Sequence, residues 1–208
     1  MNRTSLYAPF KRALDVLIAS ALLLLLWPLL ALIAGVVWLD SGRPILFRQT
    51  RIGLHGRPFT ILKFRTLHAV PHALTDPLAA VTRSGVFLRR WGLDELPQLW
   101  NVIRGDMSLV GPRPTVPSQV AHYGPTERVR LDVRPGLTGW AQVRGRNALS
   151  WDSRIAIDVE YVRRTSLALD LCILFRTPLA LLSADDAYGI GGKNGDFTPR
   201  ANPGARAA

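Results

Sequence analysis

The sequence predicts an α+β fold. A membrane-embedded helical element over residues 1-40, kinked at Pro28, precedes a small, mostly helical domain over 41-184 that carries a short β-hairpin, and a loose tail covers 185-208. Three observations predict this. Val16 to Leu39 is almost wholly apolar. Residues 44–66 read as strand, turn, strand. Beyond residue 84 the apolar side chains recur at helical spacing.

The apolar run VLIASALLLLLWPLLALIAGVVWL would extend roughly 36 Å as a helix, enough to cross a bilayer. It exceeds a signal-peptide core and lacks a small-residue cleavage site. Pro28 at its centre removes a backbone hydrogen bond and bends a helix. The basic flanks are symmetric: Arg3, Lys11 and Arg12 before, Arg43, Arg48, Arg51 and Arg57 after. A simple span should show Lys/Arg asymmetry. The residues alone therefore leave two readings, a single span or a helix that re-enters and returns to the cytoplasmic side.

In residues 44–66, Gly53, Gly56 and Pro58 punctuate two strands crowded with Arg48, Arg51, Arg57, Lys63 and Arg65. Residues 67–84 form a polar connection and 84–91 a short helix. Leu96, Leu99, Trp100 and Ile103 then mark a helix with Asp94 suited to its N-cap, Pro97 in its first turn and Gly105 as its stop. Gly111-Pro112-Arg113-Pro114 is a rigid extended loop. Residues 134–147 read as a loop with a short strand, and 151–183 as helical. The stretch 167–183 is apolar but broken by Asp170, Arg176 and Pro178, which suits a core helix or one lying at a membrane interface.

The chain carries 23 Arg, 3 Lys and a net charge of +11, a surface that favours anions. Nucleic acid, anionic lipid and phosphorylated substrates all qualify. Arg grips phosphate with a planar fork. No zinc finger, zipper or RNA-recognition signature occurs, so nucleic acid is not the expected partner. A membrane-anchored nucleic-acid-binding protein and a non-catalytic membrane scaffold are the competing readings. Cys172 is the only cysteine, which excludes an intrachain disulfide, and the four His lack zinc-ligand spacing.

Asp94-Glu95 is the candidate chemistry. Read alone, Asp94 caps a helix and Glu95 complements its dipole. The surroundings are less ordinary: Arg83, Arg89 and Arg90 come just before, Arg104 and Arg113 just after, and Glu95 is one of three Glu in the chain. A carboxylate at such a position is a competent nucleophile, and a neighbouring acid can hold Mg²⁺.

The ordered set Lys11-Arg12…Asp15, Pro28, Phe47-Arg48-Gln49, Lys63-Phe64-Arg65-Thr66, Leu93 to Gln98, Gly111 to Pro114, Pro135 to Trp140, Gly145-Arg146-Asn147 and Asp158…Tyr161 resembles the bacterial sugar transferase family. These are monotopic polyprenyl-phosphate phosphoglycosyl transferases. The resemblance runs from about residue 9 to 183 and is closest to the family's short, catalytic-unit form. It implies Asp94 as nucleophile on the β-phosphate of a UDP-sugar, with a phosphosugar-aspartyl intermediate and release of UMP. Polyprenyl (undecaprenyl) phosphate would then accept the sugar phosphate. It implies Glu95 as the Mg²⁺ partner, and Lys63, Arg89, Arg113, Arg146 and Asp158 as substrate-binding. It favours the re-entrant hairpin at the bacterial inner membrane, the catalytic domain on the cytoplasmic face with interface-lying amphipathic helices on the bilayer, and a homodimer accords with it. Two departures bear on geometry. Trp27 stands before Pro28 where many members have a small polar residue. Gly92 stands two residues before Asp94 where hydroxyl residues are common, which loosens the approach to the nucleophile.

Overall fold

The computed structural model describes residues 3–68, 80–145 and 149–182. The tail at 185-208 and the connection at 69–79 fall outside them.

The apolar run lies within one helix, α1 (Arg3–Ser41), which contains both Pro9 and Pro28. Its Tyr7–Ser41 part is long and apolar enough to cross a membrane. One face of its middle is bare: Leu24 is 77% exposed, and Leu25, Trp27 and Leu32 are nearly as exposed, while Leu22, Leu23, Leu29 and Leu30 on the other face pack against the domain. Its two ends behave differently. Near the start, Lys11 Nζ and Tyr7 Oη both donate to Asp170 at 2.6 Å, and Arg12 donates to the Val102 and Ile103 carbonyls. Asp15 is buried and accepts from Ser108 Oγ at 2.7 Å and the Leu109 amide at 3.1 Å. Near the finish, Asp40 accepts from the Ser84 amide and hydroxyl, and the Ser41 carbonyl accepts from Arg65. Both ends are thus tied to one and the same domain.

The strand–turn–strand reading holds. β1 (Leu46–Ile52) pairs antiparallel with β2 (Pro58–Phe64) over seven residue pairs. The turn needs left-handed backbone at Gly56 (φ 76°), which a glycine adopts without steric cost. The helix after the connection is α2 (Arg83–Arg90), capped by Thr82 Oγ1 accepting from the Gly85 amide.

Residues 93–105 depart from expectation at their start. Leu93–Glu95 form a 3₁₀ turn entered from Gly92, and α3 runs Gln98–Arg104 with Pro97 at the N-cap position. Asp94 does not cap. An N-cap carboxylate accepts from the amide two or three residues on. Here the Leu96 amide donates to the Leu93 carbonyl, and Pro97 has no N–H. The capping role is therefore closed to Asp94. Gly92 corrects the other expectation. At φ 65° it makes a left-handed corner, with its amide on the Arg89 carbonyl and its carbonyl accepting from the Glu95 amide. It fixes the approach to Asp94 rather than loosening it. Gly105 ends α3 at φ 94°, as expected.

β3 (Ser108–Val110) and β4 (Gly136–Thr138) form a parallel pair, the one-turn helices α4 (Pro117–Val120) and α5 (Pro125–Arg128) lie between them in the chain, and α6 (Trp140–Arg144) follows β4. The helical region from 151 divides into α7 (Trp151–Arg164) and α8 (Leu167–Leu182). The main core joins Leu99 and Val102 of α3, Leu109 and Val110 of β3, Tyr161 of α7 and Ile173 of α8. α8 also turns a bare apolar face outward, with Phe175 78% exposed and Leu179 and Leu182 similar. Cys172 is a free, half-buried thiol on that helix.

The β3–β4 pair depends on backbones that touch. A Cβ on Gly136 would collide with the Gly111 amide and the Thr138 carbonyl. Gly136→Ala is expected to cost about 1–3 kcal/mol, read as a lower melting temperature in thermal denaturation.

Candidate active site

The Leu93–Glu95 turn sits between α2 and α3 and faces β2. Its two acids do different things. Glu95 Oε1 accepts from Lys63 Nζ of β2 at 2.5 Å and from Arg113 Nη2 at 2.9 Å. Arg113 comes from the loop after β3, between Pro112 and Pro114. Its other oxygen bonds no described residue. Burial alone would raise the Glu95 carboxyl, but Arg113 and Lys63, by charge and by hydrogen bond, hold it well below the usual range. Glu95 is firmly anionic.

Asp94 is only 7% exposed, and its carboxylate bonds no described residue. Burial, then the neighbouring charge of Glu95, push its carboxyl up to about 6, against the opposing charges of Lys63, Arg89 and Arg113. Arg89, at the end of α2, is steadied by donating from Nε to Thr66 Oγ1 at 2.8 Å. A buried carboxylate with free lone pairs, ringed by three fixed bases, is built to meet an anionic electrophile.

The structure therefore brings together Asp94, Glu95, Lys63, Arg89 and Arg113. Asp158 keeps different company. It is 2% exposed, and its Oδ2 accepts from Arg130 Nη2 at 2.5 Å. Arg130 in turn donates to the Arg113 carbonyl and to the Tyr123 hydroxyl. Asp158 thus stands one layer behind the acids. Arg146 lies outside the described residues. Arg130 and Arg51 were not singled out from the sequence as site residues. Arg130 sits in TERVRLDVRPG, where no local spacing marks it, and Arg51 looked like one more basic residue on the hairpin.

Mg²⁺ takes oxygen ligands, commonly one or two carboxylates completed by phosphate oxygens and water. Among the described residues no group of three or more His, Cys, Asp or Glu converges. The free oxygen of Glu95 beside the unbonded Asp94 carboxylate still fits an ion that substrate phosphates would complete.

Comparison with known proteins gives the family. The family model described as bacterial sugar transferase matches residues 6–184. A UDP-glucose:undecaprenyl-phosphate glucose-1-phosphate transferase of Caulobacter vibrioides is 47% identical over 191 residues, covering 86% of this chain and 72% of the relative. An uncharacterized sugar transferase, EpsL, of Bacillus subtilis is 42% identical over 179 residues, covering 84% of this chain and 88% of the relative. An undecaprenyl-phosphate glucose phosphotransferase of Komagataeibacter xylinus is 44% identical over 186 residues, but these are 35% of that longer protein and 80% of this chain.

Proposed function

Because the chain belongs to the bacterial sugar transferase family, we propose that it moves a sugar-1-phosphate from a UDP-sugar to undecaprenyl phosphate, with Asp94 as the covalent nucleophile. The observation that carries this reading is Asp94 itself. It is a buried carboxylate denied its capping role, bonded to no described residue, and faced by Lys63, Arg89 and Arg113.

In the first step an Asp94 carboxylate oxygen attacks the β-phosphorus of the donor. The bond from that phosphorus to the bridging oxygen breaks, and UMP leaves with the oxygen and its electron pair. In the second step a phosphate oxygen of the acceptor attacks the same phosphorus. The aspartyl bond breaks and the carboxylate is restored. The anionic donor and the anionic acceptor never have to react with each other directly. Arg89, Arg113 and Lys63 offset charge on the phosphates, and Lys63 and Arg113 keep Glu95 ionised. The free oxygen of Glu95, together with phosphate oxygens, would hold Mg²⁺, which would supply charge neutralisation at the phosphates.

This reading is tested with the protein in detergent, Mg²⁺, polyprenyl phosphate and a panel of UDP-sugars. UMP release that requires both donor and Mg²⁺ is expected; no release with any donor rejects it.

The same reading places the domain on the cytoplasmic face of the inner membrane, with α1 re-entrant and bent at Pro28. What supports re-entry is the pair of anchorages. A spanning helix would put Lys11 and Asp40 on opposite sides of the bilayer, yet Asp170 holds one and Ser84 the other. The outward apolar face of α8 and the exposed Val86 and Phe87 of α2 suit helices lying on lipid. Single cysteines placed at residues 3 and 43 are both expected to react with impermeant reagent only from the cytoplasmic side; labelling of residue 3 from the periplasm contradicts re-entry.

A further inference from the structure

Arg113 reaches Glu95 from a loop, and a loop aims a side chain well only if its own backbone is fixed. Several backbone groups from 108 to 115 are held by hydrogen bonds. The Ser108 amide donates to the Pro135 carbonyl at 2.8 Å, the Leu109 amide to Asp15, and the Gly111 amide to the Thr138 carbonyl at 2.9 Å. The Val110 carbonyl accepts from Tyr161 Oη at 3.2 Å. Four successive carbonyls follow. Pro112 accepts from the Gly136 amide at 2.9 Å, and Thr115 from the Ile52 amide at 2.9 Å. Between them Arg113 accepts from Arg130 Nη2 at 3.2 Å, and Pro114 from Arg51 Nη1 at 3.2 Å.

Two of these donors are arginine side chains. Arg130 is 5% exposed, and its Nε is buried without a partner; so is the Nε of Arg51. A buried unpaired donor costs roughly 1–3 kcal/mol. Packing alone would favour an apolar side chain in either place. Arg130 is held by Asp158, and it also donates to Tyr123, whose hydroxyl donates to Thr115 Oγ1 at 3.3 Å. Arg51 is held by Gln49 Oε1 at 2.6 Å.

We infer that Arg51 and Arg130 are positioning residues: they clamp the carbonyls of Pro114 and Arg113 so that the Arg113 guanidinium is aimed at Glu95, and Asp158 acts by holding Arg130 rather than by touching substrate. The inference rests on the proposed transferase reading for its activity readouts. It assigns no chemistry to the two arginines. Their whole effect passes through Arg113.

The experiment compares the full chain with the double variant Arg130→Met/Asp158→Asn, each alone and combined with Arg113→Ala. The double variant removes both partners of the buried pair, so no lone charge is left inside. With Arg113 present, it is expected to lower the rate of UMP release about 10- to 100-fold. With Arg113→Ala already in place, it is expected to cost less than about twofold, because the groups act in series. A loss of the same size in both backgrounds overturns the inference, and so does an unchanged rate with Arg113 present. Should the double variant fail to fold, Arg51→Met is read in the same two backgrounds with the same expectations. Amide hydrogen exchange over residues 111–116 gives a readout that needs no activity. Faster exchange in the variants supports the clamp, and unchanged exchange overturns it. If the wild-type chain released no UMP with any donor, the transferase reading would fail, while the exchange result would still decide on the clamp.

Discussion

Asp94→Asn is expected to lower UMP release by at least about 10³-fold and at the same time to raise the melting temperature near neutral pH. The first effect follows from losing the nucleophile, a kind of loss that removes several orders of magnitude. The second follows from where Asp94 sits. Its carboxyl is pushed up to about 6 by burial and by Glu95, so an ionised Asp94 is a cost to the fold at pH 7. The sign follows from linkage. Between the ordinary carboxylate range and about pH 6 the folded state binds more protons than the unfolded one, so stability falls as pH rises through that window. Asparagine removes the cost, a gain on the order of 1–3 kcal/mol and a few degrees. Below about pH 4 the carboxyl is protonated in both states, and the gain is expected to vanish. The wild-type rate should climb with pH through about 6 as Asp94 ionises. Thermal denaturation at pH 4 and pH 7, beside a pH–rate profile, checks all three. A variant that is inactive and also less stable at pH 7 would show Asp94 to be structural.

Glu95→Gln is expected to move stability the other way. Its carboxylate is held ionised by Arg113 and Lys63, so neutralising it leaves two cations facing one another in a largely enclosed site. A cost of roughly 1–3 kcal/mol is expected at pH 7, discounted from the buried-pair figure because Arg113 is half exposed. Stability contributed by such a depressed carboxyl is present above its unfolded value and lost as pH falls below it. The melting-temperature gap between wild type and Glu95→Gln should therefore start to narrow near pH 4 and keep closing as pH falls further toward the depressed folded value. Activity should fall about 10²-fold or more, since the aim of Arg113 and Lys63 and one oxygen offered to Mg²⁺ all depend on this side chain. Two adjacent acids, both needed for turnover, would thus shift the melting temperature in opposite directions. If both substitutions lowered it alike, the division of roles between Asp94 and Glu95 would be wrong.

Much of this was legible along the chain because it is local. The β-hairpin follows from its turn residues and pattern, and Gly105 announced the end of α3. The basic crowd around Asp94-Glu95 singled these two acids out as candidates before any contact was known. The misreading of Asp94 as a cap was local too. Proline at position 97 offers no amide, and the 3₁₀ turn spends the one at Leu96. What could not be read was pairing at a distance. Arg113 meets Glu95 across 18 residues, and Arg130 meets Asp158 across 28. No periodicity encodes either. The anchorage of α1 is more remote still, with Lys11 and Asp170 separated by 159 residues. Symmetric basic flanks hinted that both ends share one side, but only contacts show that one domain holds them. Gly92 illustrates the converse: composition suggested slack, and a left-handed backbone shows a fixed corner.

The central claim is that Asp94 carries the sugar phosphate between donor and acceptor. It is tested most directly by omitting the acceptor. Purified protein with Mg²⁺ and a UDP-sugar that supports turnover should release about one UMP per active site and then stop. The peptide containing Asp94 should gain the mass of the sugar phosphate, and adding polyprenyl phosphate should discharge it. If UMP appears only once acceptor is present and no peptide is modified, the transfer is direct and Asp94 is not the nucleophile.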